Sequence, residues 1–205
     1  MIENKRIVFL TLSLCKGGAE NQLVKLSIFF KRRGFDVDII NVLPQNDFNE
    51  ELTTNGIENH YFNVKSIGGF INLLKFVKNQ QPSLLISFMY GANIIARFLK
   101  LLFKFPIITS VRRRDMSKLY SRIYRYTYKI DDFATFNSEY ALNLFIKNRW
   151  TVAAKSGFMK NAVKIERDNF KRESSKNEVF RLISIAHFRP DKDYETLYKA
   201  IQILK

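Results

Sequence analysis

Between Ile7 and Asn148, short apolar runs alternate with helix-period stretches, and this rhythm constrains the fold more than any other feature. The runs are Ile7–Leu12, Val37–Leu43, Ile57–Phe62, Leu84–Phe88, Ile107–Val111 and Asp132–Phe136, and each reads as a strand. Helices are expected over Asn21–Arg33, Phe70–Asn79, Gly91–Phe103, Met116–Lys129 and from Ser138 to about Asn148, with a short one at Phe48–Thr53. Gly34 ends the first helix and Ser138 caps the last. Strands spaced by single helices, and apolar along their whole length, imply a mainly parallel α/β sheet, Rossmann-like, with helices on both faces.

The first strand-to-helix turn, Lys16-Gly17-Gly18-Ala19-Glu20, is where such a sheet gathers ligands. Two glycines let a ligand come close to the backbone, and the free N–H groups of a helix start favour an anion. The turn is neither G-x-G-x-x-G nor a P-loop, so a phosphate or sugar site and a plain βα turn both fit it.

Composition narrows the class. At 46% hydrophobic and 26% charged residues the chain is globular. A single cysteine, Cys15, excludes an intramolecular disulfide framework and fits a reducing compartment. His60 and His187 lie far apart with no cysteine pair, so no zinc signature is present. Met1 to Cys15 has the early charge and apolar run of a signal peptide but no small-residue cleavage pattern, and reads better as a first strand. No apolar stretch reaches the ~18 residues of a membrane span. A cytoplasmic location is expected.

The net charge of +15 calls for a polyanion partner: nucleic acid, anionic lipid or a phosphorylated small molecule. Lys118, Arg122, Arg125 and Lys129 recur at helical spacing on one face, and Arg97, Lys100 and Lys104 sit among apolar residues of the preceding helix. Such helices read first as ordinary covering helices; the functional alternative is a peripheral contact with the anionic inner face of a membrane. Nucleic acid is the weaker partner, since no helix-turn-helix cue, zinc module or RNA-recognition motif appears.

After Lys164 the rhythm breaks. Residues 165–178 are rich in charge and serine and read as a linker; Val179–Ala186 then reads as a new strand and the helix from Asp193 follows. The division expected is 1–164 as one domain, 165–178 as linker, and 179–205 as the first strand and helix of an incomplete second Rossmann-like domain. One strand and one helix cannot bury both faces of a sheet.

In order along the chain, Gly17-Gly18-Ala19-Glu20, Lys31-Arg32-Arg33-Gly34-Phe35-Asp36-Val37, Phe136-Asn137-Ser138-Glu139, Lys160-Asn161-Ala162-Val163 and Ser184 to Asp193 resemble the family-4 glycosyltransferases, which have the two-domain GT-B fold. Phe136 matches that family's last strand of the N-terminal domain, and Ala162 replaces a family glycine. The resemblance implies a retaining transfer of sugar from a nucleotide-sugar to a glycan or lipid-linked acceptor, in surface polysaccharide or glycoconjugate biosynthesis. It implies no cofactor and no metal. Gly17 and Gly18 would position acceptor or phosphate. Arg112 would stand at the catalytic position where many relatives carry a histidine. Asn161, His187, Arg189 and Lys192 would bind substrate or donor. Arginine can clamp a phosphate but is a poor base because it stays protonated. A basic surface loop at Arg112, a solvated helix start at Lys192 and turn roles for His187 and Asn161 are the bland alternatives. The family's later paired-glutamate motif does not occur before Lys205, so this chain alone is expected not to catalyse transfer. A non-catalytic subunit or truncated remnant of a transferase, and a basic nucleic-acid- or membrane-binding α/β module, are the other classes that the sequence permits.

Overall fold

The computed structural model describes residues 6–113, 116–162, 182–186, 188 and 190–203. The chain divides into two units, Met1–Val163 and Lys164–Lys205.

In the first unit the strands are β1 (Arg6–Thr11), β2 (Asp36–Asn41), β3 (Glu58–Tyr61), β4 (Leu84–Phe88), β5 (Ile107–Val111), β6 (Phe133–Phe136) and β7 (Ser156–Phe158). They form one parallel sheet in the order β3-β2-β1-β4-β5-β6-β7. The helices are α1 (Gly18–Arg32), α2 (Asn49–Thr54), α3 (Ile67–Gln80), α4 (Tyr90–Phe103), α5 (Lys118–Thr127) and α6 (Glu139–Lys147).

Strand alternation sorts the core into two faces. Ile7, Phe9, Ile39 and Ile86 meet Leu23, Val24 and Ile28 of α1 and Leu52 of α2 on one side. Val8, Leu10, Ile40, Leu85 and Ile107 meet Leu73 and Val77 of α3 and Ala92, Ala96 and Leu99 of α4 on the other. Val111, Ala134 and Phe136 pack with Tyr124 of α5 and Ala141 and Phe145 of α6. Each fully buried Leu, Ile or Phe contributes about 1.5–3 kcal/mol of transfer free energy.

Local chemistry sets the helix ends. Gly34 takes φ +81° after α1, a conformation that side chains resist. Ser138 accepts the Ala141 N–H at 3.2 Å, capping α6 as expected. The helix α3 begins three residues before its expected start at Phe70. Ser66 accepts the Gly69 N–H at 3.1 Å, and a Cβ on Gly69 would come within 2.2 Å of the Asn63 carbonyl oxygen.

Several sequence readings need correction. Phe133–Phe136 is not the last strand, because β7 follows it. Three residues with a glycine make no apolar run, and β7 exists through its ladder with β6. Arg97 does not face outward. It is only 2% exposed and pairs twice with Asp131, so it cannot meet a lipid headgroup. In the second unit, residues 182–186 form no strand; residues 179–181 of that expected element lie outside the described residues. A strand needs a ladder partner, and among the described residues 182–186 have none; Ile185 is 94% exposed. A short 3-10 turn, Pro190–Lys192, leads into α7 (Tyr194–Ile203), whose Thr196 N–H is capped by Asp193 at 3.3 Å.

Candidate functional site

The strand order reverses between β1 and β4, which opens a crevice at the carboxyl ends of these strands. Beyond β1 the chain is pinned on one side. Leu14 N–H donates to the Gln45 carbonyl at 3.0 Å, Asp47 N–H to the Leu14 carbonyl at 2.9 Å, and Lys16 N–H to the Asp47 carboxylate at 2.8 Å. This holds the start of α1 in place. Gly17 is extended, at φ −157°, and no side chain caps the helix. A Cβ on Gly18 would meet nothing within 4 Å. The chain's own conformation therefore does not require glycine at 18. A side chain at 18 would point into open space, while the Glu20 carboxylate folds back to where a Cβ on Gly17 would stand.

The opposite wall starts at Met89, which turns β4 directly into α4. Its φ of 78° costs a non-glycine residue about 1 kcal/mol or more. The turn is fastened by Met89 N–H to the Ser110 carbonyl at 3.1 Å and Asn93 N–H to the Met89 carbonyl at 2.9 Å. Arg112 follows β5. Its guanidinium lies 4.7 Å over the Phe88 ring, and Nη1 donates to Asn161 Oδ1 at 2.7 Å. Burial pushes this guanidinium below its ordinary value, and among the described residues the buried Nε has no hydrogen-bond partner. An arginine still keeps its proton at neutral pH, so Arg112 offers charge and hydrogen bonds rather than a base.

Asn161 belongs to a strap that returns across the carboxyl ends of the strands. Met159 N–H donates to the Phe136 carbonyl at 2.7 Å, beside β6. Three residues later the Gln22 side chain holds Ala162 twice: Nε2 donates to its carbonyl at 3.0 Å and Oε1 accepts its N–H at 3.2 Å. Gln22 and Gly18 are four apart on α1 and share a helix face. The strap thus joins Arg112 to the glycine turn.

Beneath this crest lies a buried polar network. Arg97 donates to both carboxylate oxygens of Asp131, at 2.8 and 2.7 Å, and to Thr127 Oγ1 at 2.9 Å. Thr109 Oγ1 donates to Asp131 at 2.8 Å, and the Arg97 guanidinium stacks 4.0 Å over Tyr124. Asn93 Nδ2 donates to the Tyr124 hydroxyl at 2.8 Å, and Ser87 Oγ donates to Asn93 Oδ1 at 2.7 Å. Satisfied on each side, these groups rigidify the β4–α4 and β5–α5 units that carry Met89 and Arg112.

Of the residues singled out in the sequence, Arg112 and Asn161 are brought into contact, and Gly17 and Gly18 stand at the same end of the sheet. Lys192 lies in the 3-10 turn of the second unit, with an exposed side chain. His187 and Arg189 lie outside the described residues. Gln22 and Met89 were missed: Gln22 looks like any helix surface residue, and a left-handed methionine has no local signal. Asp38, Glu58 and His60 are a group whose ligand atoms lie within 4.8 Å of one another, the chemistry of a divalent-cation site. Asp38 is already shared by His60 at 3.3 Å and Arg6 at 3.7 Å.

The fold is the Rossmann-like parallel sheet found in GT-B glycosyltransferases. Superposition identifies particular neighbours. Anabaena HepE in complex with UDP-glucose matches with a TM-score of 0.63 at 16% identity, covering 77% of this chain and 44% of that one. The apo form of the lipopolysaccharide outer core galactosyltransferase WaaB matches with 0.62 at 15% identity, covering 79% of this chain and 47% of that one. Acinetobacter baumannii MurG matches with 0.56 at 9% identity, covering 78% and 47%. This chain therefore spans less than half the length of each. The sequence matches no protein-family model and no curated protein. Identities this low establish the fold alone.

Proposed function

We propose that the chain is the acceptor-side part of a retaining, family-4-like glycosyltransferase that uses a nucleotide-sugar donor and a glycan or lipid-linked acceptor, in surface polysaccharide or glycoconjugate biosynthesis. The carrying observation is the crest at the carboxyl ends of β1, β4 and β5, where the helix start at Gly18, at which an added Cβ would meet no protein atom, and the Arg112–Asn161 contact are joined through Gln22. Complexes of the neighbouring HepE with UDP-glucose support the donor class.

In this reading the acceptor hydroxyl oxygen bonds to the sugar's anomeric carbon, the bond from that carbon to the donor diphosphate breaks with its electron pair leaving on the nucleoside diphosphate, and a phosphate oxygen of that leaving group takes the hydroxyl proton. The net configuration is kept. Gly17 and Gly18 N–H groups position acceptor or phosphate. Arg112 supplies positive charge beside the reacting sugar. His187, Arg189 and Lys192 are assigned to binding substrate or donor. Side chains and helix ends do this without a metal. Peripheral contact with anionic membrane through the α5 cations belongs to the same proposal.

The test is Gly18→Val in the natural gene product that carries this sequence. A Cβ at 18 meets no protein atom, so the fold should survive. Transfer of labelled sugar from a nucleotide-sugar panel to glycan and lipid-linked acceptors should occur in the parent and fall at least tenfold in the variant. Absence of transfer in the parent, or an unchanged rate in the variant, would refute the proposal.

A further inference from the structure

A groove of about 490 Å³ lies between α5 and the segment that ends α6. Lys118, Arg122 and Arg125 line it from α5, and Lys147, Arg149 and Trp150 from the other side. It shares no residue with the crest at the carboxyl ends of the strands. A second hollow of about 340 Å³ shares Arg125 and Arg149 with it and adds Lys129.

Among the described residues the charge here is uncompensated. On α4 the cations Arg97 and Lys100 each have a carboxylate, Asp131 and Asp132. Among the described residues no ion pair reaches any of the five groove cations. Residues 116–130 and 140–162 include no acidic residue at all. Like charges at i,i+4, such as Lys118 and Arg122, repel by a few tenths of a kcal/mol. An anion in the groove would offset that repulsion by attracting both cations.

The backbone supplies an independent sign. The helix α6 ends in a Schellman turn: Trp150 N–H donates to the Phe145 carbonyl at 2.9 Å and Arg149 N–H to the Ile146 carbonyl at 3.0 Å. The residue between cap and tryptophan takes φ +56°, where glycine is the unstrained choice. Here it is Arg149. The turn also seats Trp150 against Phe145, with ring centroids 5.3 Å apart. Strain is thus accepted at the position that adds a guanidinium to the groove.

We propose that this groove is a phosphate-binding site separate from the crest, taking closely spaced phosphoryl groups carried by a free pyrophosphate-like ligand or by a lipid headgroup. Its volume is that of a small-ligand site, and three arginines offer the planar donor forks that match phosphate oxygens. The assignment does not rest on the transferase reading.

Trp150 is the chain's one tryptophan, so its fluorescence reports on the groove directly. The full chain is titrated with inorganic pyrophosphate, with phosphatidylcholine vesicles with and without phosphatidylglycerol, and with random-sequence duplex DNA. A saturable change with pyrophosphate identifies a soluble ligand class; one with phosphatidylglycerol vesicles alone identifies a headgroup. Either supports the site if Arg122→Ala and Arg149→Gly each weaken it at least tenfold. Arg149→Gly also relieves the left-handed strain, so its melting temperature should hold or rise while its affinity falls, which separates a ligand role from a structural one. Silence with pyrophosphate and both vesicles, a response to DNA alone, or unchanged affinity in both variants overturns the proposal.

Discussion

Replacing Arg97 by methionine is the sharpest test of how this domain holds α4 and α5 in place. The change removes two hydrogen bonds to Asp131, one to Thr127 and the stacking on Tyr124. It leaves the Asp131 carboxylate, 4% exposed, with Thr109 as its remaining side-chain donor. Taking one partner from a buried pair costs about 3–5 kcal/mol, because the other charge stays in a poor solvent. For a domain of this size about 2–4 °C of melting temperature goes with each kcal/mol, so the midpoint should fall by about 6–20 °C. Urea unfolding followed by circular dichroism measures the change, with Arg97→Met, Asp131→Asn and the double variant forming a cycle. The double variant should be less destabilised than the sum of the singles by more than about 1 kcal/mol. Additive losses, or a loss below about 1 kcal/mol in Arg97→Met, would refute the claim that this pair fastens the two helices.

Two further outcomes follow from the same geometry. Gln22→Ala removes both hydrogen bonds to Ala162; at about 0.5–1.5 kcal/mol each, amide exchange at Ala162 should accelerate about tenfold or more, and unchanged exchange would mean that the strap is held elsewhere. Burial pushes the Tyr124 phenol well above its ordinary value, with Arg97 and Asn93 pulling it down by less. The folded state therefore keeps a proton that unfolded tyrosine begins to lose near pH 10, and stability should fall above that pH by up to about 1.4 kcal/mol per unit from this group. Urea midpoints from pH 8 to 11 should show the fall, and Tyr124→Phe should flatten it; an equal slope in the variant would remove Tyr124 as the cause.

Much of the architecture is written in local pattern. Apolar runs such as Val37–Leu43 and Ile107–Val111 need no distant partner to be recognised, and neither does the Gly34 stop or the Ser138 cap. The glycine turn was visible for the same reason: Gly17-Gly18 sits between a strand pattern and a helix pattern. What local pattern could not supply was pairing. The strand β7 exists only because β6 offers its edge, whereas residues 182–186, more apolar by composition, find no such edge among the described residues and form no strand. Arg97 looked like one more cation on an apolar helix, yet Asp131, thirty-four residues later, takes it into the core. Arg112 and Asn161 stand forty-nine residues apart, and Gln22 and Ala162 one hundred and forty, so only the folded chain brings them together.

The sequence by itself determined the parallel α/β class and the place of the glycine turn after the first strand, because periodicity and turn chemistry act over a few residues. The tertiary structure decided which charges are neutralised and which stay open. A charge buried beside a carboxylate becomes scaffold, as Arg97 does, while the cations of α5 and Arg149 meet no carboxylate among the described residues.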